Sequence, residues 1–226
     1  MQDFLETIEK ETGADPRFAV IWLHGLGADG HDFEPIIDEL KLPAETPVRF
    51  IFPHAPVRNV GVNGGMPTRA WYDIVDMDLS RDQDEPGLRD SEGEILALID
   101  REVARGIPAD RIFLAGFSQG GAVALHTGLR LAEPLAGVIA LSCYVMLPKK
   151  ALSECRDACL QTPVFMAHGK SDEVVPFDIG ESSRELLESL GLSVQWQEYP
   201  MGHAVCPEEI EAISEWIQAR LKDLLD

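Results

Sequence analysis

One serine is flanked by glycines in Gly116-Phe117-Ser118-Gln119-Gly120-Gly121, between the apolar run RIFLAGF and a stretch with helical spacing. A serine in that setting can be a helix cap, part of a phosphate cradle or a nucleophile. The cradle pattern G-x-x-x-x-G-K-[ST] is absent and no lysine lies nearby. The spacing fits G-x-S-x-G, in which the serine projects from a sharp turn between a buried strand and a helix. Gly116 and Gly120 would let backbone approach backbone where a side chain would block it. The Gln119 N–H would then sit at the helix start, facing any negative charge that develops on an acyl oxygen.

A serine hydroxyl is a weak nucleophile at neutral pH. It needs a base within hydrogen-bond reach, and the base needs an orienting group. Where such a turn carries the nucleophile, the partners follow in the order Ser, Asp/Glu, His. Three histidines follow Ser118. His126 lies two turns into the helix that the serine opens, so it points away. His168 ends an apolar run and reads as a buried structural histidine. His203, in YPMGHAVCPEE, lies in a loop between the last apolar run and the last helical pattern, where a base is required. For the acid, VFMAHGKSDEVVPF offers Asp172 and Glu173 just past a strand, and Asp172 is nearer the strand end. Asp178 falls to the following helix. In an acidic chain either carboxylate also reads as part of a solvated loop. A second oxyanion donor is expected from the loop after an early strand. WLHGLGADG supplies it: Gly25 and Gly27 let the backbone turn inward, the Leu26 N–H is the donor, and His24 braces the loop.

These residues need a scaffold that gathers strand ends. Short apolar runs at 18–24, 48–52, 111–117, 135–143, 162–169 and 193–200 read as strands. Most are apolar throughout, as parallel strands covered on both faces are. Helical patterns lie between them at 90–106, 119–131, 178–190 and 207–224, the first placing Ile95, Leu98, Ile99 and Val103 on one face. Such alternation predicts an α/β fold with a mostly parallel central sheet flanked by helices. The 226 residues suit a single domain over 1–226. From 53 to 88 no long periodic segment occurs, yet Trp71, Tyr72, Ile74, Val75, Met77 and Leu79 lie there. A long loop carrying apolar residues covers either a satellite core or the wall of a substrate cleft.

Composition narrows the partners. A net charge of -20 repels nucleic acid and anionic membrane surfaces. No apolar stretch is long enough to span a bilayer, and the acidic start MQDFLETIEKETGAD does not read as a signal peptide. The expected location is the cytoplasm, without stable membrane association. There Cys143, Cys155, Cys159 and Cys206 read as free thiols, and no Cys/His spacing points to zinc.

HGLGADG, FPHAP, GGMPTRAWYDI, GFSQGG, HGKSDEVVPF and YPMGH occur in the same order as in the phospholipase/carboxylesterase family, which this chain resembles from about residue 17 to 222. That family includes type II carboxylesterases, acyl-protein thioesterases and lysophospholipases. The resemblance implies an α/β-hydrolase fold without a cap domain. It implies a triad of Ser118, Asp172 and His203, with the Leu26 and Gln119 N–H groups as oxyanion hole. It implies ester or thioester substrates and no cofactor, and some bacterial members form homodimers. After LSC many relatives carry Trp where this chain has Tyr144. The expected acyl wall is Leu26, Trp71, Ile74, Val75, Leu79, Tyr144, Val175 and Phe177. The expected activity is cleavage of short- to medium-chain carboxylic esters. The alternative is removal of long acyl chains from protein cysteines or lysophospholipids.

Overall fold

The computed structural model describes residues 4–76, 79 and 83–225. Met77, one of the loop's apolar residues, lies outside them. The six apolar runs form six parallel strands: β2 (Phe18–Leu23), β3 (Val48–Pro53), β6 (Ile112–Phe117), β7 (Gly137–Leu141), β8 (Val164–Gly169) and β9 (Val194–Tyr199). A further strand, β1 (Thr7–Glu11), adds antiparallel to β3, completing a seven-stranded sheet of order β1-β3-β2-β6-β7-β8-β9. The sequence TIEKE does not announce this strand, because an exposed edge strand needs only a weak apolar face and is protected by its charges.

Period-two alternation explains why the central strands are apolar almost throughout. Ala19, Ile21 and Leu23 join the core on one face of the sheet, while Phe18, Val20 and Trp22 join the core on the other. Each fully buried large side chain contributes roughly 1.5–3 kcal/mol. The covering helices are α1 (Ile36–Leu40), α2 (Glu85–Ala104), α3 (Gln119–Gly128), α4 (Pro148–Glu154), α5 (Phe177–Ser189) and α6 (Pro207–Asp223).

Four expectations need correction. The helix read from residue 90 begins at Glu85, because the Asp84 carboxylate caps the Gly87 N–H at 2.9 Å and Pro86 suits the first turn. Val103, expected on its buried face, is exposed. The segment from 53 to 88 is also not structureless before that helix: β4 (Val57–Val60) and β5 (Met66–Arg69) pair as a two-stranded antiparallel ribbon. Finally, Cys155 and Cys159 are joined in a disulfide between the end of α4 and a 3-10 turn at Asp157–Gln161. Cys143 and Cys206 are free.

The chain crosses from β3 past β2 to β6, so strand order reverses between β2 and β6. In open parallel sheets, ligands bind outside the carboxyl ends of the strands at such a reversal. The loops after β2, β6, β8 and β9 open there.

Candidate active site

The turn from β6 to α3 is as tight as its sequence requires. Ser118 has φ 54 and ψ −120, a conformation rarely adopted by a residue with a side chain. Its N–H donates to Leu141 O at 2.8 Å. A Cβ on Gly116 would lie 2.3 Å from the Gly120 carbonyl carbon, and one on Gly120 would lie 2.4 Å from Leu23 O. Both contacts are to backbone, so only glycine fits at either place.

The loop carrying His203 crosses the end of β8 just as closely. A Cβ on Gly169 would lie 2.3 Å from Gly202 O, and the Ser171 N–H donates to Met201 O at 3.0 Å. This crossing brings Ser118, His203 and Asp172 into one line. His203 Nε2 is 2.8 Å from Ser118 Oγ, and His203 Nδ1 is 2.7 Å from Asp172 Oδ2. The second carboxylate oxygen, Oδ1, accepts the Val174 and Val175 N–H groups at 2.8 and 2.9 Å. With a carboxylate on Nδ1, the ring carries its proton there, and Nε2 is left to accept from the serine hydroxyl. Glu173 is exposed beside this line and takes no part in it.

The other histidines have separate duties. His168 is fully buried, and Nε2 lies 2.9 Å from Val175 O. His126 packs against Glu92 at 3.2 Å, away from the turn. Burial holds both rings below the usual histidine range. Asp178 lies in α5.

The loop after β2 is braced by two imidazoles. His24 accepts the Ala55 N–H at 3.0 Å through Nε2 and meets Gly25 O at 2.7 Å through Nδ1. Burial lowers its pKa, which keeps the ring neutral for that pattern. His54 Nδ1 accepts the Gly30 N–H at 3.1 Å. Gly27 has φ +79 and sends its N–H to Arg69 O, so the loop turns as only glycine does readily. Among the described residues, neither the Leu26 N–H nor the Gln119 N–H has a hydrogen-bond partner. Asp29, His31 and His54 bring three metal-ligand-type atoms within 4.8 Å of one another. Asp29 Oδ1 is already engaged by His31, and His54 Nδ1 by Gly30, so this trio is built as a loop brace.

A cavity of about 360 Å³ opens beside Ser118 and His203. Of the expected wall, Leu26, Ile74, Leu79, Tyr144 and Val175 line it. Trp71, Val75 and Phe177 do not. The Trp71 indole N–H donates to His24 O at 2.9 Å within the core, half-exposed Val75 faces a small outer hollow, and Phe177 packs on His168 and Trp196. Tyr72, one of the apolar loop residues named from sequence as a possible cleft wall, lines it too; Val62 and Phe117 complete much of the wall and were not singled out from sequence for that role. Nor was the Gln119 side chain, which accepts the Trp71 N–H at 2.8 Å and donates to Tyr72 O at 2.7 Å. The only sequence signal was an amide residue at a buried helix start beside a long loop.

A model of the phospholipase/carboxylesterase family matches residues 5–221. The chain belongs to the phospholipase/carboxylesterase family. Among its relatives, acyl-protein thioesterase 1 of Neurospora crassa is 41% identical over 216 residues, covering 92% of this chain and 88% of that protein. The carboxylesterase SOBER1 of Arabidopsis thaliana is 32% identical, covering 91% and 92%. The crystal structure of SOBER1 superposes with a TM-score of 0.86 at 31% identity, over 91% of this chain and 99% of that one. Acyl-protein thioesterase 2 of Zea mays gives a TM-score of 0.83 at 28% identity, over 96% and 100%. The phospholipase/carboxylesterase fold is an α/β-hydrolase fold without a cap domain, and the chain is a serine hydrolase of this family. Among the described residues, no helix is long and apolar enough to cross a membrane.

Proposed function

We propose that this chain hydrolyses acyl thioesters and carboxylic esters in the cytoplasm, with Ser118 as nucleophile, His203 as base and Asp172 as its orienting acid. Ser118 Oγ attacks the acyl carbonyl while its proton passes to His203 Nε2. Asp172 stabilises the imidazolium and keeps the proton on Nδ1. The Leu26 and Gln119 N–H groups, unpaired among the described residues, receive the oxyanion. His203 then protonates the leaving thiol or alcohol, and water repeats the attack on the acyl-enzyme with the same base. One observation carries this reading: the Ser118–His203–Asp172 line, at 2.8 and 2.7 Å, opens onto a cavity walled largely by Leu26, Ile74, Leu79 and Val175.

The names of the fungal relatives, acyl-protein thioesterase 1 at 38 to 41% identity, favour acylated thiols over simple short-chain esters. Leu26, Val62, Ile74, Leu79, Phe117 and Val175 give the cleft a mainly apolar lining, with Asp32 its one carboxylate, and such a lining suits an aliphatic chain. The second reading, short- to medium-chain carboxylic esters, draws on the placement of Leu79 and Tyr144, which line both this cavity and the adjoining hollow. A chain-length series of p-nitrophenyl esters and matched acyl thioesters separates the two. Thioesterase action predicts kcat/KM rising toward long chains. An optimum at short chains with thioesters disfavoured would overturn it. In both series Ser118→Ala is expected to fold and to lower turnover to near background, and retained turnover would remove Ser118 from its role.

A further inference from the structure

The cavity beside Ser118 is lined mostly by apolar residues, and besides Ser118, His203, Asp32 and Gln119 its polar groups are two phenols. Tyr72 and Tyr144 both line it, and their hydroxyl oxygens are 3.4 Å apart. Both residues are buried, Tyr72 at 1% and Tyr144 at 5% exposure. Neither can swing away cheaply. Tyr72 is held at its carbonyl by the Gln119 amide, and Tyr144 lies between Ser142, whose N–H donates to Ala167 O, and Val145, whose N–H donates to Ser183 Oγ.

Each phenol has one proton to donate. The bond between the two oxygens uses one of them. The other proton has no acceptor among the described residues. Burial raises the pKa of both phenols, so neither proton is lost at neutral pH. An unmet donor in a buried site is costly, and a ligand that supplies the acceptor is favoured over one that does not.

We propose that the Tyr72–Tyr144 hydroxyl pair recognises an oxygen within the acyl chain, so that the preferred acyl groups carry an ether, ester or keto oxygen some bonds from the scissile carbonyl. This rests on the acyl-hydrolase reading above and refines its substrate class. The pair lies in the acyl wall and not at the Ser118–His203 contact, so it acts on binding. Its effect falls on KM more than on kcat, because the contact is made in ground state and transition state alike.

The test scans an ether oxygen along the acyl chain of p-nitrophenyl esters, one methylene at a time and kept remote from the carbonyl. In an apolar pocket every such oxygen should weaken binding through its lost hydration. The expected result is a single position at which kcat/KM recovers by roughly 3- to 10-fold over its neighbours, the yield of one neutral hydrogen bond. In the double variant Y72F/Y144F that maximum disappears relative to the plain chain measured on the same variant. The single variants each retain one phenolic proton, and the maximum persists in them, shifted or reduced. A uniform penalty at every oxygen position in the wild-type protein would overturn the inference, whether or not the double variant folds. So would a maximum that survives Y72F/Y144F. If plain chains themselves are not hydrolysed, it is the acyl-hydrolase reading that fails.

Discussion

Glu209 lies in the first turn of α6, a few residues beyond His203, and is fully buried. Neither carboxyl oxygen has a hydrogen-bond partner among the described residues. Burial raises its pKa from the usual 4.5 to about 7, and the nearby Cys206 N–H offsets part of this without reaching ordinary hydrogen-bond geometry. Between those two pH values the native state binds a proton that the unfolded chain has lost. Stability contributed by this group therefore falls as pH rises from 4.5 toward 7 and levels off above it. At about 1.36 kcal/mol per pH unit, ionising Glu209 in the native state costs roughly 3 kcal/mol by pH 8. Glu209→Gln keeps the shape and removes the charge. The assay is urea unfolding of both proteins at intervals from pH 5 to pH 8. Buried His24, His126 and His168, with lowered pKa values, give a stability that rises with pH toward 6.5, but this slope is common to both proteins and cancels in the difference. The variant should gain on the wild type by roughly 3 kcal/mol across the range. Parallel profiles would refute the reasoning, because they would mean that Glu209 is hydrated or paired in solution.

Asp172→Asn should leave the fold intact and lower kcat by about 10³ to 10⁴, because an amide no longer fixes the His203 tautomer; steady-state kinetics with a loss below tenfold would count against Asp172. Gly120→Ala forces a methyl to 2.4 Å from Leu23 O and 2.6 Å from His24 O. The turn must move, so ester turnover should collapse, with about 1–3 kcal/mol of stability lost in denaturant melts. Gly93 lies inside α2, and a methyl added there would meet nothing within 4 Å. Gly93→Ala should raise stability by about 0.5–1 kcal/mol without changing kcat, and a lower melting temperature would contradict that placement.

How much was legible in the sequence depended on how local each signal was. The β6–α3 turn declares itself because its glycines are demanded by backbone contacts within a few residues, and the chain order of acid and base then leaves few candidates. Five of the parallel strands were equally visible, since burial on both faces removes most polar residues from them, whereas β9, at the sheet edge, keeps Gln195, Gln197 and Glu198 and showed itself by alternation. The acyl wall was less so. Trp71 and Phe177 are large and apolar, which does not say against what they pack: Trp71 serves the core, and half-buried Phe177 lies on His168 and Trp196. Tyr72 and Tyr144 bring their hydroxyls together across seventy-odd positions, a pairing that no local pattern encodes. The start of α2 had its signal in Asp84 and Pro86, hidden by the absence of helical periodicity ahead of it. The edge strand β1 had almost none.

Gln119 carries two loyalties in one residue. Its backbone begins the helix behind Ser118, and its side chain grips the main chain at Trp71 and Tyr72. On the proposed function, the wall that meets the acyl chain is thus rooted in the same residue that faces the oxyanion. Beyond Tyr72 the segment is tied again at Asp73, whose Oδ1 accepts the Gly61 N–H at 2.7 Å and whose N–H donates to Asp84 Oδ2 at 2.8 Å; at the root itself, a poorly fitting chain pushes directly on the residue proposed to receive the charge. Discrimination among acyl groups can then be expressed in the rate of acyl transfer as well as in affinity.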